Sequence, residues 1–168
     1  MIFEPVWVSS AEHLQTFERA YRECSYVRLF AGAWKLPEGF PYVRGWMGIP
    51  WRVPIVMFSS GQVRIEDRLL EFEAKPWRLP LNRLHHLRTD LRFTLTDEDI
   101  TEVKAFEFAS PIMRYYNLPF TRIRTAKGGE LADFLLCVGG VGPLMGKVRA
   151  MNAEMSSRLR DAFLGQAT

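Results

Sequence analysis

The stretch Pro54–Ala74 reads P-I-V-M-F-S-S-G-Q-V-R-I-E-D-R-L-L-E-F-E-A. Ile55–Phe58 is an apolar run. Ser59-Ser60-Gly61 has the composition of a tight turn, with Gly61 free to take a positive φ. Gln62–Ile65 alternates polar and apolar residues, and Glu66-Asp67-Arg68 is a second turn signal. Leu69–Ala74 alternates again, with Leu70, Phe72 and Ala74 on one side and Glu71 and Glu73 on the other. A period of two marks strands with one buried face. The stretch predicts a β-meander, and the chain beyond it reads as continuation and closure of that sheet.

Downstream, Lys75–Pro80 is loop or sheet edge, because Pro76 and Pro80 cannot donate to a ladder. Leu91–Leu95 is a strand, Thr96–Asp99 a turn, and Ile100–Phe108 a further strand. Pro111–Pro119 is irregular. Phe120–Thr125 is a strand, Ala126–Gly129 a glycine-containing hairpin turn, and Leu131–Val138 a near-continuous apolar run that belongs in the middle of a sheet. Gly139–Pro143 breaks it. Leu144, Val148, Met151, Met155, Leu159 and Phe163 then recur every three or four residues, the strongest helical signal in the chain. Asn152 and the charged residues are assigned to the other faces of that helix.

Upstream, Ser9-Ser10-Ala11-Glu12 offers a capping box with Ser9 as N-cap. Leu14, Phe17, Tyr21 and Cys24 form the apolar stripe of an amphipathic helix, Ala11–Cys24. Tyr26–Phe30 has strand composition. Beyond it, glycines and prolines break every period, while Trp34, Phe40, Tyr42, Trp46 and Trp51 sit among them. This aromatic lead-in has two readings. It is either a segment folded over the domain, or an exposed patch for a partner. Trp34, Tyr42 and Trp46 are the candidate interaction residues.

The chain of 168 residues reads as a single domain, 1–168, with the helix and lead-in in 1–52 and the barrel with its helix in 53–168. Its net charge of +3 permits a weak attraction to anionic surfaces. Cys24 and Cys137 lie far apart without a C-x-x-C, which points to a cytoplasmic rather than a disulfide-forming setting. The first ten residues lack the basic region and apolar core of a signal peptide. Phe134–Gly146, the longest uncharged stretch, is too short to span a bilayer and carries four glycines and Pro143.

The order of these elements resembles the pleckstrin-homology-like superfold and, within it, the GRAM and bacterial pleckstrin-homology-like groups. The matching stretches are S-S-G-Q-V-R-I-E-D-R-L-L-E-F-E-A, D-L-R-F-T-L-T-D-E-D-I-T-E-V-K-A-F, F-T-R-I-R-T-A-K-G-G-E-L-A-D-F-L-L-C-V and the helix Leu144–Leu164. The resemblance spans roughly Pro54 to Leu164 and rests on element order and turn placement. It implies an α+β fold: a partly open antiparallel β-barrel of about seven strands, plugged by the C-terminal amphipathic helix, with an N-terminal helix added. It also implies a non-enzymatic binding or scaffolding module. Members that bind phosphoinositides carry basic residues around the first hairpin loop. Here that loop is Ser59–Gln62, with only Arg64 and Arg68 nearby.

Chemical motifs are thin. Gly140–Lys147 sits between an apolar strand and a helix but lacks P-loop spacing, and Val148 stands where Ser or Thr should bind magnesium. His85-His86 cannot converge on one ion. Asp97-Glu98-Asp99 reads as a solvated turn, and Ser59 and Ser60 lack the G-x-S-x-G elbow. No catalytic residue, metal ligand or cofactor is expected. Arg78, Arg83, Arg88 and Arg92 form a loose basic run with Trp77 and Phe93 beside it. Its continuity is too poor for nucleic acid. A protein partner, self-association or a weakly anionic membrane surface fits it better. The competing class is a small-ligand carrier or enzyme that uses the barrel interior, and it requires a cavity with converging polar groups.

Overall fold

The computed structural model describes residues 1–24, 28, 34, 35, 37, 38, 40, 42–44, 52–54, 57–75, 88–109, 117–139 and 145–165. Among these the elements run β1 (Ile2–Ser10), α1 (Ala11–Cys24), β2 (Tyr42–Arg44), β3 (Arg52–Pro54), β4 (Met57–Glu66), β5 (Leu69–Ala74), β6 (Arg92–Thr96), β7 (Ile100–Ala109), β8 (Asn117–Thr125), β9 (Asp133–Val138) and α2 (Met145–Phe163). A 3₁₀ turn, Gly129–Leu131, precedes β9. The two three-residue strands β2 and β3 pair with each other as a separate ribbon among the described residues.

The other strands form a seven-stranded antiparallel sheet in the order β6-β5-β4-β1-β9-β8-β7. Its outer strands, β6 and β7, are consecutive in the chain and joined by the turn at Asp97–Asp99. A sheet whose opposite edges are tied by so short a turn cannot stay flat. It curls into an open half-barrel, the α+β architecture expected from the strand and helix pattern.

The centre of that sheet is β1, which the strand reading of the sequence did not assign. It pairs with β4 on one side and β9 on the other. Phe3, Val6 and Val8 are buried, but register shifts at Phe3/Val6 and Val8/Ser9 interrupt the period of two. These irregularities, and Pro5, hide the strand from pattern reading.

The expected turn at Ser59–Gly61 is corrected. These residues continue β4 without interruption and are buried. Gly61 serves close packing rather than turning: a Cβ there would lie 2.1 Å from the Glu73 carbonyl of β5. The second turn is confirmed. Asp67 and Arg68 have φ of 40° and 67°, which gives a two-residue hairpin with both residues left-handed.

The concave face carries the main core. Leu70 and Phe72 of β5, Leu95 of β6, Ile123 of β8, Phe134 and Leu136 of β9 pack with Met155 and Leu159 of α2. Phe93 stacks on Phe72 at 5.2 Å between centroids and meets Phe134 edge-on at 5.4 Å. Of the expected α2 stripe, Val148, Met155 and Leu159 are buried and Met151 and Phe163 half-buried. Asn152 belongs to this buried side as well, against expectation. Its Oδ1 accepts the Val138 N–H at 2.7 Å, and its Nδ2 donates to the Val138 and Val148 carbonyls at 3.1 and 2.9 Å. The amide satisfies backbone groups at the end of β9 that burial would otherwise leave unpaired.

On the convex face, α1 packs Leu14, Phe17, Ala20 and Cys24 against Phe120, Leu135 and Cys137. Its first turn is capped by Ser10, whose Oγ accepts the His13 N–H at 3.2 Å. Ser9, the expected cap, is buried inside β1. Arg28 is helical, so the strand composition of Tyr26–Phe30 does not decide that residue; the others in the run lie outside the described residues.

Candidate interaction surface

The β4–β5, β6–β7 and β8–β9 connections of the half-barrel gather at one corner. Arg68 of the β4–β5 turn pairs with Asp97 of the β6–β7 turn at 2.8 Å. Lys127 of the β8–β9 loop reaches the Asp99 carboxylate at 3.2 Å and the Thr94 carbonyl at 3.1 Å. The Ala126 N–H donates to the Asp99 carbonyl at 2.8 Å. Asp99 also accepts the Thr96 N–H, and that bond, strengthened by Lys127, holds its carboxyl below the usual carboxylate range. The outer edge of β6 is thereby blunted by side chains at Thr94 and Thr96, a device that discourages strand addition.

Three further connections leave from the opposite ends of the same strands. These are 75–91 between β5 and β6, 110–116 between β7 and β8, and 139–144 between β9 and α2. The first two carry Trp77, Arg78, Arg83, Arg114, Tyr115 and Tyr116. Functional residues concentrate on such connections when a rigid scaffold holds their ends.

The predicted site residues divide three ways. Trp46, Arg78 and Arg83, like His85 and His86, lie outside the described residues. Tyr42 is described through its backbone, which pairs with Pro54 across the β2–β3 ribbon. Trp34, Arg88 and Arg92 are described in full. Trp34 is half-buried and docks on α1: its Nε1–H donates to the Glu23 carboxylate, and the Arg19 guanidinium lies 5.8 Å from its ring centroid. Phe40 is buried and packs on His13 with 5.0 Å between ring centroids. This much of the aromatic lead-in folds back along α1, as the folded-over reading expects.

Arg88 and Arg92 each have carboxylate partners. Arg88 donates to Glu130 and lies 3.9 Å from Asp90, while its backbone bonds Phe58 and Ser59 of β4. Arg92 pairs with Glu73 at 2.8 Å on the convex face. There it lines a shallow groove of about 440 Å³ with Gln62, Arg64, Glu71, Glu73 and Thr94. Arg64 sits 3.6 Å from Glu71 in the same groove. Two arginines and two glutamates cancel across it. Further round the convex face, Arg122 makes a bidentate pair with Asp133, which lowers the acid's pKa and raises the base's. Arg124 extends this pair to Glu102 at 2.8 Å.

No catalytic constellation assembles from these groups. Among the described residues no group of three His, Cys, Asp or Glu is placed to hold a metal ion. Cys24 and Cys137 are buried and not disulfide-bonded, and burial pushes the Cys137 thiol up to about 12. No helix of the described residues is long and apolar enough to cross a membrane. Sequence reading missed two buried hydroxyls. Thr121 of β8 and Ser156 of α2 are almost fully buried, and neither oxygen has a hydrogen-bond partner among the described residues. Thr121 shares its strand face with Ile123 and pairs with Leu136, both members of the concave core.

No protein-family model matches this chain, no curated protein matches it, and no solved structure matches it.

Proposed function

We propose that the chain is a non-enzymatic binding or scaffolding module of the pleckstrin-homology-like or GRAM-like kind, working in the cytoplasm. Its partner is a protein, a second copy included, met at the end from which the 75–91 and 110–116 connections leave. The observation that carries this reading is the contrast between the two ends. One corner is tied by ion pairs and backbone bonds; at the other ends of those strands, the connections 75–91 and 110–116 carry Arg and aromatic residues. Aromatic and arginine side chains are the residue types that dominate binding energy at protein interfaces. A mixed-charge partner fits better than an anionic membrane, because Arg88 and Arg92 already have carboxylate partners.

The test pairs a stability measurement with an association measurement. Trp46→Ala and the double variant Arg78→Ser/Arg83→Ser should leave the melting temperature nearly unchanged. They should weaken self-association in sedimentation velocity, or cross-linking to a partner that the wild type captures. A Trp46→Ala variant that loses about 3–5 kcal/mol of stability instead marks Trp46 as core. Salt-sensitive flotation of the wild type with acidic vesicles, lost in the Arg double variant, would replace the protein partner with a membrane surface.

A second reading has its own observation. Thr121 and Ser156 are buried between α2 and the concave face with hydroxyls that no described residue engages. Such groups suit a small, mainly apolar ligand with a polar end, carried inside the half-barrel. Burying an unsatisfied hydroxyl costs about 1–3 kcal/mol. Thr121→Val should therefore be neutral or stabilising if the interior is simply packed. It should weaken a co-purifying ligand, seen by native mass spectrometry, if the hydroxyl serves one.

A further inference from the structure

Cations are unevenly served by counter-charges in this molecule. From β4 to β9, every described arginine and lysine except Lys104 has a carboxylate partner. On α2 the pattern reverses. Lys147, Arg149, Arg158 and Arg160 are all exposed, and none of the four has a carboxylate partner among the described residues. Their placement also runs against the field of the helix itself. The first turn of α2 carries Lys147 and no acidic residue, although the dipole favours negative charge at that end.

The four cations form a repeat. Lys147-Val148-Arg149 and Arg158-Leu159-Arg160 are set eleven residues apart, three turns of helix or about 16 Å. Val148 and Leu159 are buried. With about 100° of rotation per residue, Lys147 and Arg158 therefore fall on one flank of the exposed face, and Arg149 and Arg160 on the other. Between the flanks run Gly146, Ala150, Ala153 and Ser157. The first three are exposed, and a Cβ added at Gly146 would meet nothing within 4 Å. No side chain larger than that of serine stands along this strip. Glu154 and Asp161 are exposed beside the Lys147–Arg158 flank, so the face carries four cations against two acids. Arg149 and Arg160 have no acid on their own flank.

We propose that this face of α2 docks an acidic α-helical segment of a protein partner, laid along the strip of small residues with the cations closing on it from both sides. The strip sets the class of partner. Packed helix axes lie about 8–10 Å apart, depending on the side chains between them. A strip with nothing above serine takes the close end of that range, which brings carboxylates of the partner within reach of both flanks. A bilayer fits less well. A helix lying on anionic lipid anchors itself with large apolar side chains, and the exposed large apolar residue described here is Leu164, just past the end of α2. A second copy packed antiparallel would set Arg149 and Arg160 of one chain against the same residues of the other. The inference stands apart from the function proposed above, because none of these residues belongs to the connections used there.

The probe is an Ala-rich helical peptide with pairs of glutamates eleven residues apart, added to the full chain and followed by amide NMR. At low salt it should bind, shift the Ala150 and Ala153 amides, and lose affinity as salt screens the charges. Arg149→Ser/Arg160→Ser should weaken binding by about tenfold or more. Ala153→Trp fills the strip at constant charge and should weaken it as well. Arg64→Ser/Arg92→Ser removes the same charge from the convex face and should leave it nearly unchanged. All these positions are exposed, so each variant should keep the wild-type melting temperature. A peptide that fails to bind at low salt overturns the proposal. So does equal weakening by the two arginine pairs, which marks diffuse attraction to net charge, and so does binding that survives Ala153→Trp. Flotation with phosphatidylserine vesicles that needs Arg149 and Arg160 but tolerates Ala153→Trp overturns it in favour of a membrane surface.

Discussion

The convex face of the sheet has two halves built from the same kind of strand, and they could hardly differ more. Under α1, the outward residues of β8 and β9 are Phe120, Leu135 and Cys137, all buried. On β4, β5 and β6 the outward residues include Arg64, Glu73 and Arg92, which are exposed, and Glu71, which is half-buried, paired in a checkerboard. The concave side of both halves is apolar and lies in one core. Whether a strand reads as alternating or as continuously apolar is thus set by what covers its second face. β5 is covered once and alternates; β9 is covered twice and does not.

Removing a cover should have the largest effect. Truncation before Gly142 deletes α2, and with it Met155 and Leu159, which cover the concave core. Burial of such side chains contributes roughly 1.5–3 kcal/mol each, against a total stability of about 5–15 kcal/mol. Cooperative thermal unfolding should disappear, and a truncated chain that melts like the full one would break the comparison at its root.

Within an intact sheet, Leu135→Ala under α1 should cost about 2–5 kcal/mol in denaturant unfolding. Asn152→Ala should cost about 1–3 kcal/mol for each buried backbone group at Val138 left unpaired. A smaller cost would mean that water replaces the amide.

The charged part of the convex face responds to pH with a definite sign. Asp133 is held below the usual carboxylate range first by its bond to Arg122. Its contribution to stability is present above the unfolded value, 3.8, and is lost as pH falls through the lower folded value. Asp133→Asn should flatten that acidic limb of a stability-against-pH curve, and an unchanged limb would show that other carboxylates carry it. The smallest effect belongs to the bare half. Glu73→Ala breaks the exposed pair with Arg92 and should change stability by only about 0–1 kcal/mol. A cost comparable to Leu135→Ala would mean that this half is covered after all.

The legibility of each element follows the same physics. β5 and β6 are open to reading because one face meets water. The β9 run and the α1 and α2 stripes were open because their apolar periods are long. β1 was not, because its register shifts break the period. The Ser59–Gly61 stretch misled because small polar residues and glycine also serve where two strands approach closely. Asn152 reads as part of a solvent face, because an amide in a stripe looks like its edge; the Val138 backbone, which needs a partner, explains its burial. Of the arginine run, folding gives Arg88 to Glu130 and Arg92 to Glu73, while Arg78 and Arg83 lie outside the described residues.

The amino-acid sequence by itself determined the strands from Leu69 onward, the two amphipathic helices and the absence of a recognisable catalytic motif. Each of these is a local property, fixed by periodicity, turn composition or the spacing of reactive groups. Tertiary structure alone decided that β1 fills the centre of the sheet, and that α1 and α2 take opposite faces. It also decided that the short turns form one knitted corner, and that Phe40 rests on His13. Those facts depend on which surfaces meet across long stretches of chain, and pairing across such distances leaves no period in the sequence to read.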